Sequence, residues 1–193
     1  MGSGPGPESQ RVDHCAVSFA EPLAEGVGGN SPVNRTAFAS TAAERMRILE
    51  RYRRIAMVGL SSNPFRPSHY AAIYLLSEGY DVIPVNPRER EILGRKSYAS
   101  VLEVPRPVEV VDIFRETGAV PAIVEEAIAA EAKVVWMQLG VIHEAAARRA
   151  REAGLEVVMD RCMKIEHARF FGGLNTIGMN TAVISARRMR HFA

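Results

Sequence analysis

From residue 55 onward the chain repeats one alternation: a short, nearly continuous apolar run, then a stretch with helical spacing of apolar residues, then another apolar run. The runs fall at residues 55–59, 81–85, 108–114, 134–137 and 156–159, with a shorter extended segment at 96–98. Runs of four to seven residues without polar alternation are what strands buried on both faces require. Between them, residues 67–78, 120–132 and 143–153 read as helices, with Pro67 and Pro121 suited to a first turn and Gly79 and Gly154 to a helix end. A further helix at 41–52 opens on Thr41-Ala42-Ala43-Glu44, the spacing of a capping box, and a last one starts near Met163. Strands alternating with helices mean right-handed parallel βαβ units. The predicted fold is therefore α/β: a doubly wound, mostly parallel sheet of five to six strands, Rossmann-like, with helices on both faces.

That topology names a site before any motif is read. In the usual order, 3-2-1-4-5-6, ligands bind beyond the carboxyl ends of strands 1 and 4, where the order reverses. The loops after Gly59, Val85, Phe114 and Met137 should line it.

Residues 1–36 stand apart. They hold six of the 15 glycines and four of the 11 prolines, with little apolar periodicity. Such a segment buries too little surface to offset its ordering entropy, so a disordered tail is expected before a single domain at 37–193. Composition limits the function classes. The net charge of +2 lacks the basic excess of nucleic-acid binders. Two cysteines, Cys15 and Cys162, make neither a disulfide framework nor a four-ligand zinc site. No apolar run approaches the ~18 residues of a membrane span, and no secretory signal stands at the start. The expectation is a reduced, cytoplasmic protein with no nucleic-acid or membrane partner and no metal.

The first loop reads Gly59-Leu-Ser61-Ser62-Asn63-Pro-Phe-Arg66-Pro-Ser68-His69. Gly59 admits close approach of backbone. The hydroxyls of Ser61, Ser62 and Ser68, the Asn63 amide, the Arg66 guanidinium and the amino end of the following helix make an anion site suited to a diphosphate, with His69 beside it as donor or cap. Ser68 has the alternative role of a mere helix cap. A single glycine is not the G-x-G-x-x-G fingerprint of dinucleotide binders. Nor is Gly59-x-Ser61-x-Asn63 a hydrolase nucleophile elbow, which follows several strands and ends in glycine.

The second strand ends Val85-Asn86-Pro87-Arg88 where an NAD site carries an acid for the ribose diol. Arginine there suits a ribose phosphate, which both NADP and coenzyme A offer. Phe114 and Arg115 end the next strand, one to face an adenine or pack in the core, the other to meet a phosphate or a surface acid. Gln138 and Gly140 follow the fourth long run.

Taken in order, Gly59-x-Ser61-x-x-x-x-Arg66-x-Ser68, Val85-Asn86-Pro87, Val111-Asp112-Ile113-Phe114-Arg115, Trp136-x-Gln138-x-Gly140 and Asp160-Arg-Cys162-Met resemble the small stand-alone CoA-binding proteins. The same domain type is similar to the CoA-binding domain of succinyl-CoA synthetase alpha subunits. The resemblance implies a cofactor, coenzyme A or an acyl-CoA, with its diphosphate at Ser61 and Arg66 and its adenosine end near residues 85–88 and Phe114-Arg115. It implies a small-molecule nucleotide ligand and no established reaction, and it admits a homo-oligomer or a partner acyl-CoA enzyme. It does not reach the tail or the helix at 41–52. The rival readings are an NADP-binding oxidoreductase and a non-catalytic protein-interaction module.

One residue is expected to stay out of the chemistry. Cys162 follows the outermost strand, two strands from the switch point, which at about 4.8 Å per strand puts it roughly 10 Å from the crevice. Pantetheine is long enough to cross that gap, which makes a mixed disulfide between Cys162 and CoA geometrically possible; with Met159, Met163 and Ile165 around it, Cys162 is expected instead to be a buried, inert thiol, and Glu166 and His167 solvated residues of the helix behind it.

Overall fold

The computed structural model describes residues 39–172, together with Met1. The tail expected at 1–36 and the arginine-rich end at 187–190 lie outside the described residues.

The predicted helices and the five long strands form. The helix α1 (Ala42–Arg51) starts at the predicted capping box, Glu44 N–H donating to Thr41 Oγ1 at 3.2 Å and Thr41 N–H to the Glu44 carboxylate at 2.6 Å. It leads into β1 (Arg54–Val58), α2 (Pro67–Ser77) and β2 (Asp81–Val85). After two short strands, β3 (Glu91–Ile92) and β4 (Arg95–Lys96), come β5 (Val110–Ile113), α3 (Val120–Ala129), β6 (Val134–Met137), α4 (Glu144–Glu152), β7 (Glu156–Val158) and α5 (Met163–Phe171).

The main sheet has the order β2-β1-β5-β6-β7, every pair parallel. The sixth strand expected at 96–98 shrinks to one parallel bridge, Tyr98 to Val85. The chain there is spent instead on the antiparallel pair β3-β4, which turns through Leu93 and Gly94, both at positive φ (55° and 70°). Two left-handed residues give the turn whose twist matches a hairpin.

Alternation along each strand splits the core into two layers. Ala56, Val58, Val111, Ile113, Val135 and Met137 face α3 and α4, while Ile55, Met57, Val110, Val134 and Trp136 face α1, α2 and α5. The two layers leave the sheet interior dry, which is why its strands carry almost no polar residue. Asp112 is the exception, fully buried in β5.

The helix α5 departs from expectation. Glu166 and His167 are buried, not solvated, because α1 packs across α5. Arg45 Nε meets Glu166 Oε2 at 2.7 Å, with both side chains nearly sealed from water, and Tyr74 Oη reaches His167 Nδ1 at 3.0 Å.

A candidate ligand cleft at the switch point

The order reverses at β1: the chain goes from β1 to β2 on one side, then crosses to β5 on the other. Beyond the carboxyl ends of these strands lies an open cleft of about 1060 Å³. That is at the upper end of the volumes of small-molecule sites.

Nine of the predicted residues line it: Gly59, Ser61, Arg66, Ser68, Asn86, Arg88, Phe114, Arg115 and Gln138. Gly59 is where the two sides of the switch point touch. At φ +85° its N–H donates to Val85 O at 2.9 Å, and a Cβ there would stand 2.6 Å from Phe114 O and 2.9 Å from Arg115 Cδ. Gly59→Ala should therefore lower unfolding free energy by about 2 kcal/mol, from left-handed strain plus a backbone clash. A urea titration followed by the fluorescence of Trp136 measures it; an unchanged midpoint would mean that the β1 and β5 ends are not locked together.

The first loop is held by its own polar groups. Asn63 Oδ1 accepts from Phe65 N–H at 2.9 Å and Ser61 Oγ from Asn63 N–H at 3.2 Å. Ser62 N–H donates to Glu89 Oε1 at 3.3 Å. Ser62 and Asn63 thus lie off the cleft wall and shape the loop. His69 is buried behind it, with Nδ1 at 2.9 Å from Ser61 O; a carbonyl only accepts, so Nδ1 carries the proton. Ser68 does not cap α2. The N-cap is Arg66, which makes no side-chain cap, and Ser68 sits one residue inside Pro67 with its hydroxyl-bearing side chain buried at the cleft. The amino end of α2 consequently faces the cavity.

On the β2 side, Asn86 ties the loops together: Nδ2 donates to Leu60 O at 2.9 Å and to Glu89 Oε1 at 3.2 Å, and Oδ1 accepts from Arg88 N–H at 3.0 Å. Val85 is core and Pro87 is surface. Gly140 also lies off the cleft, its N–H donating to Asp160 Oδ1 at 2.8 Å. Arg115 pairs with the neighbouring Glu116 at 3.0 Å, whereas Arg66 and Arg88 make no salt bridge among the described residues. Four cations (Arg66, Arg88, Arg115, Lys164) against the single acid Glu116 leave the cleft cationic. A backbone hydrogen bond first, then the Arg115 hydrogen bond and charge, with a smaller pull from Arg88, hold the Glu116 carboxyl below its usual range.

Beneath the cleft floor, Gln138 Nε2 donates to Asp112 Oδ1 at 2.7 Å; the amide is thus spent on a carboxyl. Asp112 Oδ2 is buried without a hydrogen-bond partner. Burial pushes this carboxyl up from 3.8 to about 7, opposed by the Gln138 bond and the Ile113 N–H.

Sequence reasoning missed the far wall: Leu139, Val141, Cys162, Lys164 and Ile165. Cys162 is half-buried on the cavity wall and not sealed in the core. The cause is the turn after β7. Asp160 adopts φ +56°, Arg161 N–H donates to Met137 O at 3.3 Å, and Trp136 Nε1 donates to Arg161 O at 2.7 Å. The chain folds back over the carboxyl end of β6 and carries Cys162 toward the switch point, closing the distance that strand spacing alone implies. Phe65 and Tyr70, also unanticipated, stand exposed at the lip.

Among the described residues, no cluster of three or more His, Cys, Asp or Glu side chains is arranged to hold a metal ion, and no helix is long and apolar enough to cross a membrane.

Comparison with known proteins adds relatives to this geometry. The model of a family described as a CoA binding domain matches residues 53–168. The uncharacterized protein YneT of Bacillus subtilis (strain 168) is 41% identical over 126 residues, 65% of this chain and 93% of its own. A hypothetical protein of Pyrococcus horikoshii OT3 superposes with a TM-score of 0.68 at 43% identity, over 76% of this chain and the whole of its own. An acetyl-coenzyme A synthetase 1 of Ca. Korarchaeum cryptofilum, solved in complex with phosphate and ADP, superposes with a TM-score of 0.52 at 28% identity, over 56% of this chain and 26% of the synthetase.

Proposed function

Because the chain belongs to the CoA binding domain family, we propose that the cleft at the switch point is its site for coenzyme A or an acyl-CoA. The diphosphate lies against Ser61, Arg66, Ser68 and the amino end of α2, where two hydroxyls, the Ser68 N–H and a guanidinium without a salt bridge among the described residues meet an anion. The adenosine end lies between Asn86-Arg88 and Phe114-Arg115, with a ribose phosphate on Arg88. The pantetheine runs along Gln138 toward Leu139, Val141 and Ile165. The protein acts on this reading as a ligand-binding protein without a catalytic centre of its own.

The observation that carries the reading is the pair Arg66 and Arg88, two cleft cations without a salt bridge among the described residues, on either side of the Gly59 turn. An NAD site wants an acid at the end of the second strand; here Asn86 fills that place and is spent on Leu60 and Glu89. NADP shares the phosphate but brings a nicotinamide ring in place of the pantetheine arm.

A thermal scan with the three ligands separates these readings. At about 100 times its dissociation constant a ligand adds roughly 2.7 kcal/mol to stability, a plain rise in melting temperature. CoA should give that rise and NAD none. An equal rise with NADP would favour the oxidoreductase, and no rise with CoA would remove the proposal.

A further inference from the structure

Arg66 and Arg88 stand at one end of the cleft, beyond β1 and β2; Cys162, with Lys164 beside it, stands on the far wall of the same cavity, beyond β7. Cys162 is the N-cap residue of α5, and its side chain closes no capping hydrogen bond, although the Lys164 and Ile165 N–H groups lie close enough to favour the thiolate. A second observation stands beside it: Asp112, wholly buried and bonded to the cleft residue Gln138, keeps one carboxyl oxygen without a hydrogen-bond partner. A ligand that reaches from one end to the other must carry phosphates at one terminus and, at the other, a group that reacts with or rests on a thiol.

Resting on the CoA reading above, we propose that Cys162 captures oxidised coenzyme A as a mixed disulfide. With CoA disulfide seated by its nucleotide end, the Cys162 thiolate attacks the nearer sulfur of the ligand. The bond between Cys162 Sγ and that sulfur forms as the ligand's own S–S bond breaks. The distal half leaves as a CoA thiolate and takes up the proton that Cys162 released. One disulfide is consumed and one is formed; CoA disulfide is the oxidant, and Cys162 is the group oxidised.

The environment makes this capture selective. Burial first, then the Asp112 charge, push the Cys162 thiol up, against the pull of the α5 N–H groups and Lys164. A thiol so held reacts slowly with a disulfide that only collides with it. A disulfide held by its nucleotide presents its sulfur at high effective concentration, which compensates for the small thiolate fraction.

The test uses the full chain with Cys15→Ser, so that Cys162 is the only thiol. Incubated with CoA disulfide, then with glutathione disulfide at equal concentration, the protein is followed by intact mass, and the adduct is placed by peptide mapping. The expected result is a single CoA added at Cys162, about tenfold or more faster than glutathione, and no adduct when Cys162→Ser is added. No adduct at Cys162, or equal rates with the two disulfides, overturns the inference. Calorimetry of the reduced Cys15→Ser protein with reduced CoA keeps the two readings apart. Reversible binding without capture defeats this inference alone, and absence of binding defeats the CoA reading itself.

Discussion

Replacing Glu166 with alanine should lower the stability of the domain by about 3–5 kcal/mol, a large fraction of what a chain of this size has to spare. The reason is Arg45. Its guanidinium is buried under α1, with Nε on Glu166 Oε2 at 2.7 Å and Nη1 bonded to the Ser40 carbonyl. Removing the carboxylate leaves that charge in the apolar layer formed by Ile48, Leu49 and their neighbours. The cost is that of an uncompensated buried cation, far above that of an exposed pair such as Arg149–Glu125. Replacing both partners by apolar residues of similar volume, Arg45→Met with Glu166→Leu, should recover most of the loss. Urea unfolding followed by the single tryptophan, Trp136, measures all three variants. A loss below about 1 kcal/mol for Glu166→Ala would mean that Arg45 escapes to water and that α1 is loosely held. The helix α1 precedes the family match at 53–168, and this buried pair fastens it to α5.

The second large effect is one of pH. Asp112 is raised from 3.8 to about 7 by burial, so between those values the folded protein keeps a proton that the unfolded chain has lost. Stability linked to this group is complete below the unfolded value and falls as pH rises toward 7, then levels off. Two pH units at about 1.4 kcal/mol each put the loss between pH 5 and pH 8 on the order of 3 kcal/mol. Asp112→Asn keeps an oxygen for the Gln138 amide but cannot ionise. The stability of the wild type relative to this variant should therefore fall by that amount from pH 5 to pH 8. Parallel profiles would show that Asp112 does not titrate in this range in the folded state.

What the sequence revealed follows from where each residue sits along the chain. Gly59, Asn86, Arg88, Phe114 and Gln138 end strands or open the loops that follow, and a parallel sheet brings its carboxyl ends to one edge whatever the side chains do. The fold class and the near wall of the cleft could thus be read from the alternation alone. Ser62 and Asn63 look like ligand groups in a polar loop, but short-range partners claim them: Glu89 takes Ser62 N–H, and Asn63 turns back on Phe65. The far wall was hidden for a different reason. Nothing in Asp160-Arg161-Cys162 announces that Asp160 takes a left-handed conformation and that the chain doubles back onto Met137. Nor does a polar Glu166 announce burial; only α1, placed across it by the fold, makes it a core residue. The strand at 96–98 failed because its neighbours Leu93 and Gly94 favoured a local hairpin over a sixth place in the sheet.

On the reading proposed above, CoA lies across the switch point between β1 and β5. Amide chemical-shift mapping of the reduced full chain during a CoA titration tests it most directly. The predicted result is a saturable set of shifts confined to the loops holding Gly59 to Ser68, Asn86 to Arg88, Phe114 to Glu116, Gln138 to Val141 and Cys162 to Ile165, with the outer face of α4 unmoved. Shifts centred elsewhere, or none that saturate, would contradict it.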